Sequence, residues 1–185
     1  MKKLIFTVLV LWLVTSGYAQ RMLPGQLGLE VSAGTFSADS PQKNYFVGVA
    51  LAAMTKRGNY QLYGAEYSHR YASYKGTNIP LETFLGEAGY SFSLLADRKK
   101  AVAFYAAITG VGGYETINRG NDMLFDRAKI LNDEGFVYGA GGRLSCEVYL
   151  FDSMVLILQG RAKMLWGTSL EQFRPSLGAG LRFNF

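Results

Sequence analysis

Apolar and polar residues alternate with a period of two through most of this chain, a pattern that indicates β-strands rather than helices. The alternation is clearest at the end of the chain, where Leu177, Ala179, Leu181, Phe183 and Phe185 share one face of the predicted strand. The same pattern predicts eight strands, at residues 26–36, 45–54, 60–71, 82–95, 101–115, 136–150, 154–166 and from about 173 to 185.

The connections between these segments alternate in length. Short polar turns are predicted at residues 55–59, 96–100 and 151–153, and longer connections at 35–44, 72–81, 116–135 and 167–172. Outer-membrane barrels have short periplasmic turns and longer outer loops, whereas a soluble β-sandwich has no reason to follow this rule. The sequence therefore predicts an all-β fold: an eight-stranded up-and-down antiparallel transmembrane β-barrel of the bacterial outer membrane, with both termini periplasmic.

The first residues have the features of a secretory signal peptide. Lys2 and Lys3 precede an apolar run at residues 4–14, and small residues follow up to Ala19. This run is shorter than the ~20 apolar residues that a spanning helix needs. We therefore expect residues 1–19 to be removed between Ala19 and Gln20, leaving residues 20–185 as a single outer-membrane barrel domain.

The last strand also resembles the C-terminal insertion signal of bacterial outer-membrane barrels. Gly180, Phe183 and Phe185 have the spacing of that signal, although Gly178 stands where a polar residue is usual. This resemblance implies the barrel-assembly machinery as a partner during insertion.

The two faces of the predicted strands differ in chemistry. The apolar face should meet outer-membrane lipid, with tyrosines near the strand ends at the membrane interfaces. The lumen of an eight-stranded barrel is only wide enough for side chains, so the polar face predicts a plugged interior rather than a conducting path. Its expected polar network consists of Glu30, Glu66, Arg70, Glu87, Arg143, Glu147, Arg161, Lys163 and Arg182. Which acid meets which base is left open, because it depends on the stagger of the strands.

The charge balance does not favour nucleic acid as a partner. Without Lys2 and Lys3, 17 basic residues remain against 14 acidic ones, a net charge of +3. The basic residues of the short turns lack the aromatic platform that single strands favour. Contact with anionic head groups or with water is the simpler interpretation of these residues. For these reasons we expect no direct nucleic-acid binding. No cluster has metal-ligand spacing, so we also expect no cofactor.

His69, the only histidine, raises an alternative with enzyme chemistry. It lies on the predicted outer face, with Ser73 four residues on and Glu82 on the neighbouring strand. A nucleophile, a base and an orienting carboxylate could meet there, as in a lipid-modifying enzyme. The competing interpretation is that His69 extends the aromatic belt of Tyr67 and Tyr71, and it leads us to expect no enzyme activity.

The longest connection, residues 116–135, is the candidate extracellular contact loop. Asp122 could cap a short helix that ends near Leu131. The candidate contact residues are Asp122, Leu124, Phe125, Arg127 and Leu131. The segment could cover the lumen or dock a partner.

Several stretches resemble the conjugal transfer protein TraO family. They are residues 20–26, 79–83, 113–120, 138–144, 158–161, 166–168, 171–176 and 180–185. The resemblance covers essentially the whole chain and implies a non-enzymatic outer-membrane component of a mating apparatus, with other conjugation proteins as partners. It implies no catalytic or binding residues. A small outer-membrane barrel for adhesion or envelope integrity is the alternative.

Overall fold

Eight antiparallel strands close into a barrel in which β8 pairs back with β1. The strands are β1 (Leu27–Thr35), β2 (Tyr45–Met54), β3 (Tyr60–Tyr74), β4 (Thr77–Ala96), β5 (Val102–Ile117), β6 (Glu134–Tyr149), β7 (Met154–Trp166) and β8 (Phe173–Asn184). The pairing of β1 with β8 that closes the barrel extends from Gly28 opposite Asn184 to Thr35 opposite Leu177. The predicted eight-stranded up-and-down barrel is confirmed.

The computed structural model describes residues 23–36, 40–74, 77–98, 101–118, 134–168 and 171–185. The predicted signal peptide, with Ala19 and Gln20, lies outside these residues. So does the centre of the candidate contact loop, with Asp122, Leu124, Phe125, Arg127 and Leu131. Among the described residues, no helix has the length and apolar character needed to cross a membrane.

The alternation of the sequence becomes an outer and an inner wall. On β1, Leu29 and Val31 are 47% and 50% exposed, whereas Glu30 between them is 1% exposed. The backbone of a strand sends successive side chains to opposite faces, so this contrast repeats along every strand. The outer wall is apolar and exposed, and the inner wall holds the buried charges.

Aromatic residues surround both ends of the outer wall. We call the end that carries residues 55–59, 97–98 and 150–153 the terminal end, because Leu27 and Phe185 also lie there, and the opposite end the loop end. Exposed rings near the loop end include Phe84, Tyr114, Phe136, Tyr138, Trp166 and Phe173. Those near the terminal end include Tyr63, Phe92, Phe104, Phe151, Phe183 and Phe185. Aromatic rings in two belts around an aliphatic middle are typical of membrane barrels.

The β3–β4 hairpin corrects one prediction. Residues 72–81 were expected to form a loop, but β3 continues to Tyr74 and β4 starts at Thr77. β2 stops pairing with β3 at His69, so residues 70–74 of β3 extend past it by about 16 Å at roughly 3.3 Å per residue. The loop end is therefore uneven, with this hairpin as its extended side.

Pro80 is tolerated within this hairpin because of its place in the ladder. Its partner Tyr71 donates its backbone N–H to Asn44 Oδ1 at 2.9 Å, away from β4. Two residues directly opposite each other in an antiparallel pair either exchange backbone hydrogen bonds or both direct their backbone N–H and C=O groups away from each other. Pro80 therefore needs no N–H toward β3, and the described pairing of β4 with β5 begins only at Leu81.

Candidate functional site in the barrel lumen

The inner wall carries acidic and basic side chains that pair across the lumen. The described pairs are Arg182 with Glu147, Arg143 with Glu30, Arg161 with Glu66, Lys163 with both Glu66 and Glu87, and Arg174 with Glu115. A lone charge in such an interior would be costly, and oppositely charged partners offset the loss of water. The lumen thus has a charged interior in which each of these side chains has a counter-ion.

The network nearest the terminal end links four strands. Arg182 makes a close bidentate contact with Glu147, and Tyr60 donates its hydroxyl proton to Glu147 Oε1 at 2.7 Å. Arg143 donates from Nη2 to the Tyr60 oxygen at 2.8 Å and from Nη1 to Glu30 Oε1 at 2.8 Å. One continuous set of hydrogen bonds therefore joins β1, β3, β6 and β8.

An apolar cluster closes the lumen at the terminal end. Its larger members are Met54, Tyr60, Leu62, Tyr105, Tyr149, Val155 and Ile157. Their exposed fractions lie between 0% and 5%, so no water-filled channel runs past them. We call this cluster the lumen floor.

Phe46, near the start of β2, is fully buried on the inner wall. A Cβ on Gly34 or Gly178 would lie 2.5 or 2.6 Å from its ring, so the ring needs glycine at both positions. The guanidinium carbon of Arg161 lies 3.7 Å from the ring centroid. Arg161 and Lys163 approach Glu66 to 2.6 and 2.9 Å, and Lys163 lies 3.1 Å from Glu87. The predicted lumen network consists of charged residues and does not include the buried Phe46.

The described residues at the loop end include a buried and an exposed ion pair. Arg174 donates to Glu115 at 2.6 Å and to Thr83 at 3.3 Å. Arg70 reaches Glu171 at 2.9 Å, with 18% and 77% of the two side chains exposed. The guanidinium of Arg70 also lies over the ring of Phe36, 5.2 Å from its centroid.

These positions differ from the expected network in two ways. Arg70 pairs at the rim rather than in the closed interior, because it lies past the end of the β2–β3 pairing. Arg174 and Glu115 complete the inner wall but were not in the predicted set. Arg174 has the same inward orientation as Ser176 and Arg182 on β8. The alternation of the sequence, extended two residues before Ser176, would have predicted this position.

The residues of the predicted insertion signal lie at the closure of the barrel. Phe183 and Phe185 are exposed on the outer wall. The backbones of Phe185 and Leu27 exchange two hydrogen bonds, at 2.8 and 3.2 Å. A Cβ on Gly180 would lie 2.8 Å from the carbonyl oxygen of Val31. The closing strands therefore lie close together at this glycine.

His69 lies within the aromatic belt of the loop end. Its ring stacks on Tyr45 with centroids 5.6 Å apart and meets Tyr71 edge-on at 4.9 Å. Nδ1 lies 3.2 Å from the carbonyl oxygen of Lys43, and Glu82 is the cross-strand neighbour of His69. Ser73 continues β3 and pairs with Asn78. Among the described residues, no group of three or more His, Cys, Asp or Glu side chains could hold a metal ion.

Comparisons with known proteins agree with this geometry. The barrel resembles the crystal structure of Neisserial surface protein A (NspA), with a TM-score of 0.53 and 13% identity over 86% of this chain and 95% of that one. It also resembles Ail, the attachment invasion locus protein of Yersinia pestis, with a TM-score of 0.50 and 8% identity over 86% of this chain and 95% of that one. These likenesses concern the fold alone.

Sequence comparison gives more specific information. No curated protein sequence matches the chain. The family model described as conjugative transposon protein TraO matches residues 23–185, which is nearly the whole barrel. The chain therefore belongs to the conjugative transposon protein TraO family.

Proposed function

We propose that this protein is a non-enzymatic outer-membrane component of a conjugative DNA-transfer apparatus, with a structural or interaction role. The family match over residues 23–185 carries the proposal. The other conjugation proteins encoded with the apparatus are its proposed partners.

The outer wall supports a location in the outer membrane. Exposed aliphatic residues such as Leu29, Val49, Ile108 and Leu158 lie between the two aromatic belts. Hydrocarbon accepts only structures that pair their own backbone groups, and a closed barrel does so. In this proposal the short turns and both termini face the periplasm, and residues 1–19 direct export and are removed.

The filled lumen supports an interaction role over a channel role. The lumen floor, the ion pairs and the Phe46 ring occupy the interior. Wide water-filled channels belong to barrels with many more strands. DNA therefore does not pass through a single copy, and purified monomer in a planar bilayer should form no wide pore.

The loop end is the proposed contact region. The β3–β4 hairpin extends past β2 there. The segment that contains Asp122, Leu124, Phe125, Arg127 and Leu131 connects the ends of β5 and β6 at this same end. Loops held by a rigid scaffold commonly carry binding functions. Replacement of residues 75–76 and 122–131 by short Gly-Ser segments should weaken contact with partner proteins while the barrel still assembles.

Gene deletion in a donor cell tests the proposal directly. Conjugation into a recipient should fall sharply, and a plasmid copy of the intact gene should restore it. A second complementing copy with the two loop replacements should be found in the outer-membrane fraction yet restore transfer poorly. Unchanged transfer after deletion would contradict the mating role and favour adhesion or envelope integrity, which binding to host cells and detergent sensitivity would then measure.

A further inference from the structure

A groove crosses the outer wall next to the terminal end. It has a volume of about 610 Å³ and passes over β4, β5, β6, β7 and β8. Its outward lining includes Leu95, Phe104, Leu144, Leu158, Gly160 and Leu177. A second groove shares Leu144, Gly160 and Leu177 and continues toward Phe36 at the loop end. The size is within the ~300–1,000 Å³ range of small-molecule sites, and the lining is apolar.

A β-bulge shapes the lower end of this groove. The pairing of β4 with β5 shifts between Ser93 and Leu95. Because of the extra residue, the consecutive side chains Leu94 and Leu95 are both on the outer wall, 55% and 71% exposed. Bulges redirect side chains in this way near the rims of barrels.

Basic residues lie directly below the bulge. Arg98 follows Leu95 by three residues and is exposed, as are Lys56 and Arg57 in the neighbouring turn. Lys99 and Lys100 come next in the sequence. Asp97, the acidic residue of this turn, accepts the backbone N–H of Arg98 at 2.7 Å. We call Lys56, Arg57 and Arg98 the basic rim.

Hydrogen bonds hold the turn between β2 and β3 against β4. The Thr55 and Tyr90 hydroxyls lie 2.8 Å apart, and Asn59 Oδ1 accepts the backbone N–H of Ser93 at 2.9 Å. Arg57 adopts a φ of +66°, a conformation that glycine takes at lower cost. Lys56 and Arg57 thus lie on a turn that is fixed against β4. Arg98 follows the bulged end of β4 by three residues.

We propose that the groove and the basic rim together bind an anionic glycerophospholipid. One acyl chain lies along the groove from Leu95 toward Leu177, and the phosphate meets Arg57 and Arg98. Charge complementarity identifies the head group, because cations near a membrane surface attract anionic lipids. The site rests on the proposed function, in which the terminal end faces the phospholipid leaflet.

Native mass spectrometry of the purified barrel in detergent tests the head-group contact. The probes are phosphatidylglycerol and phosphatidylethanolamine with identical acyl chains, so only the head group differs. The intact barrel should retain phosphatidylglycerol more strongly. The double variant Arg57→Ser/Arg98→Ser should lose about fivefold in phosphatidylglycerol affinity for each cation removed. Its affinity for phosphatidylethanolamine should fall less, because the ammonium of that lipid offsets the charge of its phosphate.

A glycine variant tests the groove separately. A Cβ on Gly160 would meet Leu177 Cδ2 at 3.5 Å, an ordinary contact, so Gly160→Leu fills the groove from the outer wall. This variant should weaken retention of both lipids. The matched control is Gly110→Leu, another outward position, where a Cβ would have Ala88 O at 3.9 Å as its nearest neighbour. A heat-dependent shift on SDS gels shows that each variant is folded before titration.

Three results would overturn the site. They are equal retention of the two lipids by the intact barrel, an unchanged preference in the arginine double variant, and equal effects of Gly160→Leu and Gly110→Leu. The variant Lys43→Ser at the loop end should have no effect, and a loss there equal to the arginine loss would also contradict the assignment. These measurements use purified protein, so their failure leaves the cell fractionation and transfer tests of the proposed function independent.

Discussion

Two arginine–glutamate pairs at opposite ends of the barrel have the same chemistry in different surroundings. Arg182 and Glu147 have side-chain exposures of 0%, and they lie against the lumen floor. Arg70 and Glu171 lie at the loop-end rim, with exposures of 18% and 77%. Water and salt screen the rim pair, whereas the buried pair depends on its partners.

The contrast indicates which end of the barrel is structural. At the terminal end, the closing strands, the buried network and the lumen floor all meet within a few residues of Arg182. The loop end has an exposed ion pair and a hairpin that extends past its neighbour. Changes at the terminal end should therefore affect assembly and stability, and matched changes at the loop end should affect them little.

The largest effect is expected from the last strand. The double variant Phe183→Ser/Phe185→Ser should remove most of the folded protein from the outer membrane, because it destroys the proposed insertion signal and two exposed aromatics of the terminal-end belt. Quantitative blotting of membrane fractions, with heat-dependent gel mobility as the folding measure, gives the result.

Aromatic loss at the loop end provides the control for this variant. Phe136 and Phe173 are 67% and 57% exposed in the opposite belt, so Phe136→Ser/Phe173→Ser removes a similar apolar area. This control should assemble at close to the normal level. Equal losses in the two double variants would show that the tail acts only as a part of the aromatic belts.

Arg182→Met is expected to have the next largest effect. It leaves Glu147 buried without its bidentate partner, and breaking a buried pair from one side costs about 3–5 kcal/mol. The free energy of unfolding of the purified barrel in urea should fall by that amount. Adding Glu147→Leu should restore much of the loss, because the double variant leaves no unpaired carboxylate there and Glu30 keeps Arg143. A double variant no more stable than Arg182→Met would contradict the view that the unpaired charge causes the loss.

Much of this architecture could be predicted from the sequence, because each strand has one lipid face and one polar face. The bounds of β2 and β7 agree with their predictions, since turn residues flank both strands. The strand ends in the β3–β4 hairpin could not be predicted, because Gly76 and Pro80 are typical loop residues. Only the pairing of Tyr71 with Pro80 reveals why proline is tolerated in that strand.

The inner wall was predictable in composition and not in pairing. Alternation assigned Glu30, Glu66 and Arg143 to the interior, but their partners depend on the stagger between strands, which a local pattern does not contain. Glu30 and Arg143 are far apart in the sequence and 2.8 Å apart in the barrel. The predicted polar network contains no residue of the lumen floor, because it was restricted to charged side chains.

A smaller effect is expected for Arg70→Ser at the loop end. Exposed ion pairs contribute about 0.2–1 kcal/mol, and Glu171 remains solvated without its partner. The unfolding midpoint in urea should move little, and 0.5 M NaCl should reduce the difference from the unchanged barrel further. A loss as large as that of Arg182→Met would contradict the comparison of the two ends and would make the Arg70 contact with Phe36 part of the folded core.

His69→Phe should have the smallest effect of all. Phenylalanine keeps an aromatic ring beside Tyr45 and Tyr71 and removes only the contact from Nδ1 to the Lys43 carbonyl oxygen. Assembly, stability and the number of transconjugants should remain at the level of the unchanged protein. If His69 were instead a catalytic base toward lipid, the folded variant would lose transfer, because an arene cannot accept a proton. A folded His69→Phe barrel that fails in transfer would therefore contradict the interpretation of His69 as a part of the aromatic belt, at the end for which the ion-pair comparison predicts tolerance.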